Sequence, residues 1–489
     1  VEMAHPMTAS TEPAVYRLCG YMGIRSDKLR TDVQLDLQER LSLKGKAWRD
    51  FPPTEVSAYF TKDGHFWLPR FYFDGAIKRG MVGKYPIKFE WTDGAPINLT
   101  NLVTLDPKRG QPEAVDAMEK YIREHSGGIL VAPTGTGKTI LGYSIGQRLQ
   151  RAMGILVYNS HMLDNWVKTA YQVFGLKPDE VGVVQSDQCD LGKPVTIMMI
   201  QSLLAREYPK ELYEQIGLLI TDESPRFAAP SWNEVMRLFP ARYRLSLSAD
   251  PKRDDGLDKL IEWHLGKVGH RITAITAKPA VVQMLYKVNY DKRKFCDWNT
   301  PEPNPVKYDK LLQADKGRNA TIIEELVKMR LAGRRILVFS RFKNHLSMLS
   351  QAFEQAWDPG ILQRLADGSD APEEPRQPTK ITMLIGGLKD AKLQAAMEGD
   401  VIFTTYAFAR DALNLPTIDT LVFATPTGKP LQPIGRLRDK GDPNRRPLMA
   451  LDIYELPDYS RNKARRRVET YDDLKLKTSQ VERNAKVLK

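Results

Sequence analysis

Cysteine is scarce in this 489-residue chain: Cys19, Cys189 and Cys296 stand far apart and form no CxxC pair. That excludes a disulfide framework and leaves no cysteine-rich zinc or iron–sulfur site, so a reducing, cytoplasmic setting is expected. Histidine is sparse too, at seven, and none pairs at metal-ligand spacing. His161 and His264 are expected to be ordinary surface or partly buried groups. Long apolar runs are also missing: no uninterrupted stretch approaches the roughly 18 residues of a membrane span. The start, VEMAHPMTAS, has no basic segment followed by an apolar core, so no secretory signal is expected there, and Met7 is a candidate native start.

What is present in excess is positive charge. Lys plus Arg number 72 against 60 for Asp plus Glu, a formal charge of +12, which favours a polyanionic partner without saying which. A soluble protein with a merely basic surface would give the same balance. The length exceeds one ordinary core and implies two to four domains.

From about residue 127 short β-branched runs alternate with amphipathic helical stretches, the rhythm of parallel α/β layers, and the rhythm occurs twice. The first block offers GGILVA, GILVYN, GVVQ, VTIMMI, GLLITD and YRLSLS as strands; the second offers RRILVFS, ITMLIG, DVIFTT, TLVFA and MALDIYEL. The fold class expected is α/β, with two tandem parallel-sheet domains. Their expected limits are 105–280 and 318–457, joined by a Pro-rich, charged linker or edge over 281–317. Residues 1–104 lack the rhythm, and YFTKDGHFWLPRFYFDG reads there as aromatic-rich strands joined by a turn, in a small α+β or β-rich accessory domain. Its aromatics, Phe60, Phe66, Trp67, Phe71 and Tyr72, read as core rather than as a stacking platform. Residues 458–489 read as a basic tail; from 461 onward it holds ten Lys or Arg against four Asp or Glu. A solvated helical face and a nucleic-acid contact are equally compatible with that excess.

The strongest local signal is GGILVAPTGTGKTILGYSIG, a strand that ends at Ala132, a glycine-bearing loop, and a helix opened by Lys138 and Thr139. Pro133, Thr134, Gly135, Thr136 and Gly137 form a loop whose N–H groups can close around phosphate oxygens. Lys138 reaches the terminal phosphates and Thr139 can ligate Mg2+. Ala132 replaces the first glycine of GxxxxGK[ST], a place any small residue can fill. Downstream, the apolar run LLITDES ends in Asp222 and Glu223, an acid for Mg2+ followed by an acid for attacking water. Such a pair alone is more often a solvated strand end; after a phosphate loop it reads as catalytic.

APTGTGKT followed by TDESP resembles motifs I and II of the superfamily 2 helicases, and further segments follow in that family's order over about 105–467. LDPKRGQPEAVDAM is similar to the family's glutamine-bearing segment, which implies Gln111 near the adenine. LSLSADPKRDDG resembles motif III, keeping Ser248 and Ala249 with Asp250 in place of Thr. RRILVFSRFKNHLSML resembles motif IV, and LIGGLKD the Gly386–Gly387 turn after it, which implies contact with a strand's phosphate there and at Thr404 and Thr405. TTYAFARDALNLPTIDTLVFATP resembles motif V, with Asp411 and Asn414 at its acidic positions. LQPIGRLRDKG resembles motif VI, with Gln432, Gly435 and Arg436 in register and Arg438 one residue early. SADPKRDDG and NKARRRVETY look most like the group of XPB-type and phage UvsW-type helicases.

The resemblance implies two RecA-like motor domains with ATP and Mg2+ held between them. Lys138, Asp222 and Glu223 would come from the first, and an arginine finger, Arg436 with Arg438, from the second. Ser248, Ala249, Asp250, Asp411, Asn414 and Gln432 would couple hydrolysis to the track. The activity implied is ATP-driven translocation on DNA, with remodelling of forked and branched structures, alongside replication or recombination proteins and in the host cytoplasm if the gene is a phage's. Two other readings stay open: an RNA helicase or remodeller, and a duplex translocase with little unwinding. A clamp with a decayed motor fits poorly with Lys138, Asp222, Glu223 and Arg436 all retained. Trp166, where the family has a tryptophan, reads as packing. Pro225, in place of a hydrogen-bonding His or Asp, leaves Ser224, Arg226 or Asp250 to carry the coupling.

Overall fold

The computed structural model describes residues 16–45, 55–78, 80, 83–133, 135–223, 229–249, 257–272, 278–297, 300–357, 378–386, 388, 390–410, 415, 417–434, 437, 446–460 and 463–482. The chain forms two compact units, Val1–Ala274 and Ile275–Lys489. Each is built on one parallel sheet, as the doubled rhythm implied.

In the first unit eight strands lie edge to edge as Gln188–Cys189, Val181–Gln185, Val195–Met199, Met153–Val157, Leu218–Asp222, Tyr243–Ser248, Gly127–Val131 and Val268–Arg271. All pair in parallel except the antiparallel edge strand Gln188–Cys189. The five inner strands Val195–Met199 to Gly127–Val131 are buried at every residue. Helices or further layers on both faces leave no polar side to such strands, hence the unbroken apolar runs in the sequence. Val268–Arg271 was not expected from sequence, because its VGHR is only partly buried and carries no apolar pattern.

The N-terminal layer is α+β. Its five strands lie in the order Phe60–Lys62, His65–Pro69, Tyr21–Arg25, Tyr16–Leu18 and Ile87–Phe89. Asp63 and Gly64 both have positive φ, 51° and 69°, the two-residue turn whose twist matches the hairpin it closes. The expected run of strands stops at Pro69: RFYFDGAIK is the helix Arg70–Lys78, with Tyr72, Phe73 and Ala76 buried at helical spacing. Phe66, Trp67 and Tyr72 are buried, as expected of core aromatics.

This layer shares its core with the eight-stranded sheet. Tyr21, Phe66, Leu68 and Phe73 form one cluster with Ile129, Val131, Trp232 and Ile261. Two buried arginines stitch the layers through carbonyls. Arg70 donates to Ala241 O at 3.1 Å, Ser126 O at 3.0 Å and Arg242 O at 2.8 Å; Arg244 donates to Gly20 O at 2.9 Å and His264 O at 2.8 Å. Burial pushes the Arg244 guanidinium down to about 10. The N-terminal layer is thus a wall of the first unit's core rather than an appendage.

His264 differs from its expectation as a surface or partly exposed group. It is fully buried, with Nε2 3.1 Å from Asn233 Oδ1 and 3.4 Å from Tyr21 Oη. His161 is exposed.

The second unit carries seven strands, all parallel, in the order Ile381–Leu384, Val401–Thr405, Ile336–Ser340, Thr420–Phe423, Met449–Leu456, Ala280–Lys287 and Thr478–Glu482. Two segments assigned from sequence to a linker and a tail belong to this sheet. Ala280–Lys287 pairs with Met449–Leu456 over its full length, and Thr478–Glu482 closes the edge. The last strand escaped notice because all five of its residues are exposed, so no apolar pattern marks it. The basic segment before it forms the helix Lys463–Asp473, which buries Ala464, Arg467 and Tyr471. Arg467 is wholly inside, its Nε donating to Asp452 Oδ2 at 3.0 Å and its Nη1 to Thr427 O at 3.1 Å.

A pH dependence follows from two buried histidines. Burial, with Arg244 nearby, pushes His264 well below its ordinary value; burial, with Arg318 adding, pushes His345 down to about 3. The folded chain therefore keeps both rings neutral while the unfolded chain takes up protons below about pH 6.5. Stability is fully present above that value and is lost as the pH falls toward the folded-state values. At pH 5 the His345 ring is expected to cost roughly 2 kcal/mol, with His264 acting in the same direction. Thermal melts at pH 7.5 and 5 measure this, and His345→Gln is expected to flatten the second unit's share. An unchanged slope in that variant would contradict the assignment.

Candidate functional site

Three parallel strands end side by side in the first unit, and the sequence places its chemistry there. Asp222 pairs with Leu247 and Ser248 with Val131. Beyond the strands, Glu223 N donates to Leu247 O at 2.9 Å and Ala132 N to Ser248 O at 2.9 Å. Ligand sites in open α/β sheets lie outside such carboxyl ends.

The loop after Gly127–Val131 turns tightly because Gly135 and Gly137 have φ of 97° and 84°, a region L-residues rarely enter. Thr136 braces it, its Oγ1 donating to Pro133 O at 2.8 Å. Gly137 caps the helix Lys138–Leu149 with no side-chain cap hydrogen bond. The N–H groups of the first turn therefore have no carbonyl of their own helix to meet and point outward with the helix dipole. A Cβ at Gly137 would meet Gln111 Nε2 at 2.7 Å, so a side chain there would displace Gln111 from the loop as well as strain the backbone.

Gln111 is 3% exposed and grips this loop, Nε2 donating to Thr136 O at 2.5 Å and Oε1 accepting from Asp106 N at 2.7 Å. Its observed partners are main chain. Arg109, which the sequence did not single out, holds the other side, donating to Gly135 O at 3.1 Å while paired with Asp106 at 3.1 Å. Its signal was its place two residues before Gln111.

Lys138 Nζ lies 2.9 Å from Glu223 Oε1, with both side chains mostly shielded at 12% and 19% exposure. Glu223 has φ 53°, a left-handed conformation that costs a residue with a Cβ about 1–2 kcal/mol and is often held at functional sites. Asp222 is 8% exposed and its Oδ2 accepts from Trp166 Nε1 at 3.0 Å. Asn165, exposed on the same helix, donates to Thr139 Oγ1 at 3.4 Å. Ser248 is fully buried and Ala249 nearly so.

These residues fit a triphosphate with a divalent cation. The glycine-permitted cradle, the outward N–H groups and Lys138 suit phosphate oxygens. A carboxylate and a hydroxyl, Asp222 and Thr139, are hard oxygen donors suited to Mg2+. Among the described residues, no group of three His, Cys, Asp or Glu could hold a metal by itself, and no helix is long and apolar enough to cross a membrane.

In the second unit, Gly386 stands in an exposed turn, where an added Cβ would meet nothing within 4 Å among the described residues. Thr404 departs from its expected contact with a strand's phosphate: its hydroxyl is fully buried and donates to Leu384 O at 2.8 Å. Thr405 Oγ1 accepts from Phe408 N at 3.2 Å at the start of the next helix. A cavity of about 630 Å³ that the sequence did not flag is lined by Lys310, Gln313, Arg341, Phe342, Lys343 and Asn344. Asp309, fully buried, is 2.8 Å from both Arg341 Nη1 and Lys463 Nζ, so cations outnumber acids there. Thr134, Ser224, Pro225, Arg226, Asp250, Gly387, Asp411, Asn414, Gly435, Arg436 and Arg438 lie outside the described residues, as does the side chain of Gln432.

Residues 104–253 match the family described as type III restriction enzyme, res subunit. A protein of Acanthamoeba polyphaga mimivirus, named as a candidate ATP-dependent RNA helicase, is 22% identical over 81% of this chain and 72% of its own length. The DNA 3'-5' translocase XPB2 of Sulfurisphaera tokodaii is 31% identical over 33% of this chain and 34% of its own. Among solved structures, a fragment of an HsdR subunit of a type I restriction enzyme from Vibrio vulnificus shares the fold, with a TM-score of 0.50 and 16% identity. It covers 76% of this chain and 68% of that one. With motifs in family order and two α/β sheets of largely parallel strands, the chain is similar in sequence and fold to the superfamily 2 helicases, enzymes that run on ATP with Mg2+.

Proposed function

We propose that this chain is a DNA motor of the XPB-like and UvsW-like group that translocates on and remodels forked or branched DNA. The observation that carries the motor reading is the Lys138–Glu223 pair at 2.9 Å, beside Asp222 and the glycine loop. In this reading the loop N–H groups and Lys138 bind the β- and γ-phosphates, Thr139 and Asp222 hold Mg2+, and Glu223 orients and deprotonates water. A Mg2+ ion held by Thr139 and Asp222 would supply positive charge against the phosphate oxygens. An arriving γ-phosphate competes with Glu223 for the Lys138 ammonium. The carboxylate is thereby released to water only when fuel is present. Arg436 and Arg438 are assigned to transition-state charge, and Ser248, Ala249, Asp250, Asp411, Asn414 and Gln432 to coupling.

Nucleic acid is read chiefly at its phosphates, with slight sequence preference. The net charge of +12 and the cation-rich lining at Lys310, Arg341 and Lys343 support this. The 31% identity to an XPB-type DNA translocase favours DNA. A second reading, action on RNA, is favoured by the longer match to the mimivirus protein. A duplex translocase with little unwinding is a third. Replication, recombination or repair proteins are the partners proposed, in the cytoplasm.

ATP turnover measured with single-stranded, duplex, forked and four-way DNA and with matched RNA tests these readings. Branched DNA is expected to stimulate most, with log affinity falling linearly against log salt. Stimulation by RNA alone would establish the second reading, and stimulation by plain duplex without strand separation the third. No stimulation by any substrate would remove the motor.

A further inference from the structure

The helix Ser160–Phe174 presents two neighbouring side chains to the two residues proposed above as Mg2+ ligands. Trp166 donates its indole N–H to Asp222 Oδ2 at 3.0 Å, and Asn165 donates its amide to Thr139 Oγ1 at 3.4 Å. Successive helical residues project about 100° apart, so one turn can reach both ligands only where the helix lies across the gap between the loop helix and the strand Leu218–Asp222.

The indole is fixed on several sides. Trp166 is 0% exposed, its ring meets that of Tyr143 edge-on with centroids 4.9 Å apart, and its carbonyl accepts from Tyr143 Oη at 2.7 Å. The close approach depends on Gly142, where a Cβ would meet Trp166 Cη2 and Leu247 Cδ1 each at 2.9 Å. A buried indole N–H needs an acceptor, and this one takes a buried carboxylate, Asp222 Oδ2, for its single donor. A neutral donor fixes which carboxylate oxygen faces away from the helix without cancelling the charge a cation needs.

We infer that Trp166 and Asn165 are positioning residues for the divalent cation, pre-orienting the Asp222 carboxylate and the Thr139 hydroxyl. The inference rests on the proposed nucleotide site and adds to it the groups that orient its metal ligands. Partners that orient metal ligands typically cost about 10–100-fold in metal affinity when removed. Asp222 is the nearer target, at 3.0 Å against 3.4 Å, so Trp166 carries the larger share.

The test is Mn2+ affinity by paramagnetic resonance in the presence of a non-hydrolysable ATP analogue, together with binding of the same analogue in chelator. Trp166→Phe is expected to weaken Mn2+ about tenfold and leave metal-free analogue binding unchanged. Asn165→Ala, an exposed substitution, is expected to weaken Mn2+ two- to threefold, in line with its long hydrogen bond. Should Trp166→Phe fail to fold, site-specific replacement by benzothienylalanine keeps the ring shape and removes only the N–H. Asp222→Asn separates the two failures. Unchanged Mn2+ affinity in Asp222→Asn would overturn the metal site itself. Loss in Asp222→Asn with wild-type affinity in the Trp166 variant would overturn the positioning role alone. Parallel loss of metal-free analogue binding in the Trp166 variant would mark it as packing and also overturn that role.

Discussion

Glu223→Gln is expected to lower nucleic-acid-stimulated ATP turnover about a thousandfold, within the roughly 10²–10⁴ that a positioned general base supplies, while nucleotide binding persists. The amide keeps the size of the carboxylate and can still accept from Lys138, which sits 2.9 Å away, so the loop keeps its shape. What it loses is basicity toward water. Lys138→Ala is the contrasting variant. It is expected to lose turnover and nucleotide affinity together, because the ammonium serves the bound ground state as well as the transition state. Single-turnover phosphate release beside equilibrium binding of an ATP analogue distinguishes the two patterns. Normal turnover in Glu223→Gln would refute the assigned role.

The second large effect concerns stability. Arg467→Ala is expected to destabilise the second unit by about 3–5 kcal/mol, because it removes the guanidinium paired with the buried Asp452. Both side chains of that pair are 0% exposed, and Tyr471 Oη also donates to Asp452 Oδ2, at 3.1 Å. For a unit of this size the melting midpoint should fall by roughly 10 °C. Arg465→Ala, three-quarters exposed on the same helix at 72%, is expected to change it by less than about 1 °C. Calorimetry of the two variants decides between an internal pin and a solvated basic face. Equal, small shifts would leave Arg467 as surface charge.

The contrast within one run of arginines shows what sequence could and could not convey. Strands buried on both faces announced themselves, since Leu218–Asp222 or Met153–Val157 can be read as little else. Thr478–Glu482, equally part of a sheet, is held by backbone hydrogen bonds and buries no side chain, so its residues carry no trace of the pairing. That Lys138 and Glu223 stand together could be anticipated, because each follows an apolar run that reads as a strand of one sheet, and they meet at 2.9 Å. Trp166 lies 56 residues from Asp222, and nothing near it in sequence says that its N–H is spoken for. Arg467 and Arg465 differ only by the side of a helix they occupy. That distinction needs the partner, Asp452, which belongs to another strand.

The left-handed backbone at Glu223 has a consequence for how such a motor changes under selection. Glycine and asparagine occupy that region with little strain, so substitutions that ease the main chain remove the carboxylate beside Lys138. With Glu223 in its proposed role, resistance to heat and capacity for work pull position 223 in opposite directions. A lineage or library sorted only for robustness gains by discarding its own engine there, and a sturdier variant is no evidence of a functioning one.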